Sequence, residues 1–137
     1  MKGAARSKKN PDQPAGAAAG LSGAGGKGDR TFLAFVLDQL RGLRGVESRA
    51  MFGGHGLYQG LVFFAIIHRG RLYFRVSDAT RPEYEARGMS PFMPGARQTL
   101  KRYYEAPAEV LEDAAEAVRW ARAAVAAGSQ AKARGTR

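Results

Sequence analysis

The chain has 137 residues, a formal net charge of +10 and no cysteine. That length favours one domain, and the missing thiols exclude disulfides and thiolate metal sites. No apolar run approaches the ~18–20 residues of a membrane-spanning helix, the longest being Leu61 to Ile67, so the expectation is a cytoplasmic protein with no membrane partner.

Most of the excess charge sits at the two ends. Residues 1–28 carry Lys2, Arg6, Lys8, Lys9 and Lys27 against one acid, Asp12, and residues 127–137 carry Lys132, Arg134 and Arg137 with no acid. The middle, 29–126, holds 14 basic and 11 acidic residues and is only mildly basic. Residues 1–28 are rich in Gly and Ala, with Leu21 their one large aliphatic. Such a segment cannot offset the ~1–2 kcal/mol of backbone entropy lost per ordered residue. The expectation is therefore a disordered basic tail over 1–28, a folded unit over 29–127, and a second disordered basic tail over 128–137.

The spacing of Phe32, Leu33, Val36, Leu37, Leu40 and Leu43 predicts a helix over about 30–43, with Asp29 as N-cap. Arg49 to Phe52 reads as a strand that bends at Gly53, Gly54 and Gly56 and continues through Leu57–Gln59. Leu61–His68 and Arg71–Val76 follow, joined by Arg69-Gly70, a loop that suits a two-residue hairpin. That hairpin pairs Ile67 with Leu72, Ala65 with Phe74 and Phe63 with Val76, a wholly apolar face assigned to the core. Its other face carries Phe64, Ile66 and Tyr73 beside Arg71, Arg75 and His68. Being half apolar, that face calls for cover by a helix or a partner subunit, and Phe64, Ile66, Arg71, Tyr73 and Arg75 are the candidate interaction surface. A one-residue slip would exchange the faces.

Asp78–Arg87 reads as a short helix with Pro82 in its first turn. Gly88 to Gly95 holds Pro91 and Pro94 and is expected to be a loop. Leu100–Glu105 reads as a further strand. Pro107 suits the first position of a last helix to about Ala127, whose apolar face is marked by Val110, Ala114, Val118, Ala121 and Val125. Trp120 is its expected anchor against the sheet.

No catalytic constellation emerges. His55 and His68 lie on different segments, and no local carboxylate completes a metal-ligand spacing. Ser48, Ser77 and Ser90 have no adjacent base. Glu83, Glu85, Glu109, Glu112, Asp113 and Glu116 fall mainly on helix surfaces, the ordinary place for solvated charge. The glycine run fails the dinucleotide fingerprint, since the position after Gly54 and Gly56 that needs a third glycine is Gln59. Gly53–Gly56 does satisfy the Gly-x-x-Gly of KH clamps, but it lies between strands, not helices. Arg71, Tyr73 and Arg75 project together, an arrangement that can support base stacking, yet the run from Arg69 leaves the RNP1 pattern after two positions. No cofactor or metal is called for.

The segment Arg49-x-Met51-Phe52-Gly53-Gly54-His55-Gly56-Leu57-Tyr58 resembles the signature of the TfoX/Sxy N-terminal domain family. Gly60-x-x-Phe63-x-Ala65-x-Ile67, Leu72-Tyr73-Phe74-Arg75, Pro91-Phe92, Tyr103-Tyr104-Glu105-x-Pro107 and Trp120 follow in the family's order, covering about residues 30–126. The resemblance implies an α+β fold, an antiparallel β-sheet flanked by N- and C-terminal helices. It also implies a non-enzymatic regulatory role linked to natural competence, since founding members act as transcriptional co-activators with the cyclic-AMP receptor protein. The family's longer regulators carry a second, C-terminal helical domain, so this chain reads as a stand-alone form. Expected partners are a protein of the transcription machinery or a cyclic-AMP receptor protein-like regulator, and a second copy of the chain. The alternative is a nucleic-acid-binding protein that uses the basic tails and the Arg71/Arg75 face, with weak, sequence-independent affinity.

Overall fold

Three consecutive tight turns, each holding a glycine in the left-handed region, lay out the first four strands. The computed structural model describes residues 27–134 except Phe52. Strand β1 (Val46–Met51) turns at Gly53 into β2 (Gly54–Gln59), and β2 turns through Gly60-Leu61 into β3 (Val62–His68). Strand β3 turns through Arg69-Gly70 into β4 (Arg71–Arg75). Gly53, Gly60 and Gly70 have φ of 74°, 61° and 75°, which glycine adopts without the steric cost of a Cβ. The segment expected as one bent strand around Gly53–Gly56 is thus a hairpin, and Leu61 belongs to a turn.

Helix α1 (Lys27–Gln39) precedes this meander, and α2 (Arg81–Ala86) follows it. A second hairpin, β5 (Pro91–Gly95) and β6 (Gln98–Glu105), then adds to the sheet. Strand β6 pairs with β4, so the six antiparallel strands run β1-β2-β3-β4-β6-β5. The chain closes with α3 (Ala108–Leu111) and α4 (Ala114–Arg134). The α+β class and the flanking helices expected from the sequence are what the structure has.

Several element boundaries differ from expectation, among them the short helix, which spans Arg81–Ala86 rather than Asp78–Arg87 because residues 77–80 form a turn ahead of it. Helix α1 begins at Lys27, so Asp29 lies inside it rather than capping it, and it ends at Gln39. Leu43 is buried in the turn that follows, where its amide donates to the Leu40 carbonyl at 2.8 Å. Pro91–Gly95 is an edge strand, not a loop, because an edge tolerates prolines with no donor to give. The last helix is two. Pro107 is the N-cap of α3, and Asp113 opens α4 by accepting the Glu116 amide on Oδ1 at 3.2 Å. Helix α4 then runs through residue 128 to Arg134, where a disordered tail was expected. Gly128 is buried against β3, so the folded unit extends past Ala127. Residues 1–26 and 135–137, the remainder of the expected tails, lie outside the described residues.

The core lies between the sheet and the helices. Val36, Leu40 and Leu43 meet Leu57, Ala65, Ile67, Leu72, Phe74 and Val76 there, with Val110, Leu111, Ala117, Trp120, Ala121 and Ala124 closing it. The buried line of α4 is therefore Ala117, Ala121, Ala124 and Gly128, small residues that let the helix lie close to the sheet. Ala114 is exposed, and Val118 and Val125 are half-buried. Trp120 is the anchor expected of it, but it packs edge-on to Tyr84 of α2, with ring centroids 4.8 Å apart. The Arg87 guanidinium lies 5.1 Å from the indole and pairs with Glu83 and Glu109, tying α2 to α3.

One irregularity decides which side chains face which way. Leu57 pairs with Ala65 and Tyr58 pairs with Phe63, so Phe64 is the extra residue of a β-bulge. Phe64 and Ala65 consequently share the core face, while Phe63 and Ile66 turn to the opposite, outer face. The expected pairs Ile67–Leu72 and Ala65–Phe74 are present. In the core, Phe64 takes the place that was assigned to Phe63, 0% exposed and stacked on Phe74 at 6.5 Å.

Candidate functional site

The outer face of the sheet carries most of the conspicuous motif residues, and its glycines are there for geometric reasons. A Cβ on Gly54 would overlap the carbonyl oxygen of Ile67, so only glycine lets β2 run this close to β3. A Cβ on Gly56 would stand 2.6 Å from Met51 Cε and 2.8 Å from Phe63 Cε1. Gly56 is therefore the floor on which Met51 and Phe63 rest. Phe52 lies outside the described residues.

On that floor stands a ladder of arginines and rings. The Arg49 guanidinium lies 4.8 Å from the Tyr58 ring centroid. Tyr58 stacks on Phe63 at 5.0 Å, and Phe63 meets Tyr103 at 5.5 Å. Arg75 lies 5.5 Å from the Tyr103 centroid and donates to its hydroxyl at 3.3 Å. Five side chains from five strands thus form one chain of contacts, Arg49, Tyr58, Phe63, Tyr103 and Arg75, with Arg75 on β4 between the strands of Phe63 and Tyr103. Burial raises the Tyr103 phenol above its ordinary pKa, and Arg75 pulls part of that back. Among the described residues, neither Arg49 nor Arg75 has a carboxylate partner. Each ring contacts two other members of the chain, Arg49 is exposed, and Arg75 is half-buried, with its Nε buried and without a hydrogen-bond partner among the described residues.

The candidate surface read from the sequence is only partly a surface. Phe64 is in the core, and Ile66 is 1% exposed. The cover over Ile66 is neither a helix nor a second subunit. It is Phe92 of β5, whose ring lies 4.7 Å from that of Tyr73 and 5.3 Å from that of His68. Strands β5 and β6 therefore curl back over the outer face at the β4 end. Tyr73 is half-buried there, and burial first, then Glu105, raises its phenol pKa. Arg71 is exposed and pairs with Glu105 at 3.0 Å. Arg75 joins the ladder. The remaining motif residues are structural: Tyr104 faces the helices and donates to Glu85 at 3.1 Å, and Pro107 is fully buried.

Sequence reading missed Phe63, Tyr58 and Arg49 as one unit. Strand β3 is Val-Phe-Phe-Ala-Ile-Ile-His, apolar at every position before His68, so no alternation reveals where the register shifts. The Arg49–Tyr58 contact was hidden because the glycines between them read as a bend in one strand, whereas Gly53 turns the chain into a hairpin that sets Arg49 opposite Gly56 and beside Tyr58. Among the described residues, no group of three or more His, Cys, Asp or Glu side chains could hold a metal, and no helix is long and apolar enough to cross a membrane.

A six-stranded antiparallel sheet with helices packed on one face and a ladder of arginine and aromatic contacts on the other defines a small α+β module. Residues 38–128 match the TfoX N-terminal domain, and the chain belongs to that family. Membership supports a regulatory domain. No curated protein matches the chain.

Proposed function

We propose that this domain works by holding a protein partner of the transcription apparatus against its outer sheet face, and that it does so without catalysis. The observation that carries this reading is the ladder. Its two guanidinium groups each pack on a tyrosine ring, Arg49 on Tyr58 and Arg75 on Tyr103, and have no carboxylate among the described residues to neutralise them. Such a surface is pre-organised for acidic side chains on a partner, because the rings restrict the arginines before binding and lower the ordering cost. Family membership favours a cyclic-AMP receptor protein-like regulator as that partner, competence genes as the output and the cytoplasm as the location.

The test is binding of the full chain to the host's cyclic-AMP receptor protein-like regulator and RNA polymerase, measured by biolayer interferometry. Arg49→Glu and Arg75→Glu are expected to weaken capture by about tenfold or more, the usual scale for a charge reversed at an interface core. Equal binding by wild type and both variants would defeat the reading.

Direct nucleic-acid binding remains the second reading, supported by the charge of residues 1–28. That reading rests on the tail. Replacing Lys2, Arg6, Lys8 and Lys9 by Gln should then flatten the salt dependence of DNA binding, by a slope of about 0.9 per lost phosphate contact. Unchanged affinity and slope would instead assign DNA binding to the folded unit.

A further inference from the structure

The two edges of the sheet are not alike. Strand β5 forms one edge and carries Pro91 and Pro94, residues that deny a pairing strand its donors. Strand β1 forms the other and holds six residues, Val46-Glu47-Ser48-Arg49-Ala50-Met51, with no proline. Its pairing with β2 is regular from Val46 to Met51 and satisfies one side of the strand. The other side faces no strand, and its backbone groups have no bond elsewhere among the described residues.

An open edge is usually protected by charges that repel another strand. Here the charges do the reverse for one particular partner. Glu47 and Arg49 are exposed, lie on the same face of β1 and flank Ser48. Neither has an ion-pair partner among the described residues. When an identical strand approaches antiparallel about a twofold axis through Ser48, each Glu47 stands opposite the other copy's Arg49. Val46 then stands opposite Ala50, and Ser48 opposite its own copy. Directly opposed side chains of unlike charge favour such a pair, and like charges would disfavour it. A strand with an acid and a base placed symmetrically about its centre is complementary to itself, which is the requirement of an isologous interface.

We propose that the occupant of the β1 edge is a second copy of this chain, paired antiparallel about Ser48 so that two six-stranded sheets become continuous. The two ion pairs fall on the outer face and extend each ladder through Arg49 to the partner copy. A contact made by one strand pair is at the small end of interface sizes, below about 1,200 Å². The dimer is therefore reversible and concentration-dependent. Its measurement needs only the purified chain; because the dimer engages Arg49 with Glu47 of the second copy, Arg75→Glu is the variant that tests the partner reading apart from dimerisation.

Sedimentation velocity over a concentration series of the full chain tests it, with circular dichroism to verify that each variant folds. Wild type is expected to move from monomer to dimer. Glu47→Arg and Arg49→Glu, each alone, bring like charges together and should raise the dissociation constant by about tenfold. Combining the two substitutions in one chain sets unlike charges opposite each other again and should recover dimerisation. Since the chain has no cysteine, Ser48→Cys introduces a single thiol that mild oxidation should convert into a covalent dimer. A wild type that stays monomeric at the highest concentration, a double variant no better than the single ones, or absent Ser48→Cys cross-linking would each overturn the pairing. So would capture of an unrelated extended peptide by a monomeric chain at this edge.

Discussion

Gly128 of α4 faces Val62 of β3 so closely that a Cβ added to the glycine would stand 2.8 Å from Val62 Cγ1 and 3.1 Å from the Phe63 carbonyl oxygen. Glycine inside a helix is ordinarily a loss of about 1 kcal/mol against alanine. At this position the helix can touch the sheet only because no side chain intervenes. Gly128→Val is expected to lower stability by about 1–3 kcal/mol, the usual cost of overpacking, read from chemical denaturation. Stability unchanged or raised in Gly128→Val would mean that α4 does not lie on β3 in solution as described.

That contact also shows where sequence reading stops. The Ala/Gly/Ser/Lys composition beyond Ala127 resembles a solvated tail, because small residues carry little apolar signal whether they are packed or not. The hairpin at Arg69-Gly70 was readable, since turn chemistry is local and both flanking strands are apolar. The bulge at Phe64 was not, because every residue from Val62 to Ile67 is apolar and a register shift leaves no trace in such a run. Pro91 and Pro94 read as loop residues because proline excludes a central strand but not an edge, and the edge position of β5 depends on β6, which comes later in the chain. The motif glycines were legible as a signature but not as a site. Their reasons, the Ile67 carbonyl and the Met51 and Phe63 side chains, lie on neighbouring strands.

The bulge makes a prediction about two adjacent phenylalanines. Phe64 is fully buried under the helices, whereas Phe63 is half-buried on the outer face. Phe64→Ala should cost about 3–5 kcal/mol, as for a large core ring. Phe63→Ala should cost clearly less and should disturb the Tyr58 and Tyr103 environments, visible in near-ultraviolet circular dichroism. A regular strand without the bulge would reverse the order of the two losses, and urea unfolding of both variants distinguishes the cases.

Arg69 has φ of 54° and is the one described non-glycine residue in the left-handed region. With Gly70 at 75° it forms a turn with two positive φ values, the type that matches strand twist and prefers Asn-Gly. A side chain with a Cβ sits there at a cost of roughly 1–2 kcal/mol, which asparagine partly escapes. Arg69 is also exposed. Arg69→Asn is therefore expected to stabilise the protein by about 0.5–1 kcal/mol, raising Tm by several degrees in a chain of this size. A lower Tm would show that Arg69 makes a contribution unrelated to the turn.

Four tyrosines make the fold sensitive to alkali. Burial is the main cause in each case: it raises the phenol pKa of Tyr84, with Glu83 adding to it, and of Tyr104, with Glu85 adding to it. It also raises Tyr73, against a smaller opposing effect of Arg71, and Tyr103, against that of Arg75. A raised value means that the native state holds these protons more tightly than the unfolded chain does. The corresponding stability is fully present below the ordinary phenol value of about 10 and is lost as pH rises from there towards the raised native values. Thermal unfolding across that range should show Tm falling steadily, with native phenolate absorbance lagging behind that of free tyrosine. Tyr84→Phe keeps the ring against Trp120 but removes the most strongly shifted ionisation, so its Tm should fall less steeply over the same interval. Equal slopes for Tyr84→Phe and wild type, or an early phenolate wave that accounts for all five tyrosines while the chain is still folded, would contradict the burial from which the effect is derived.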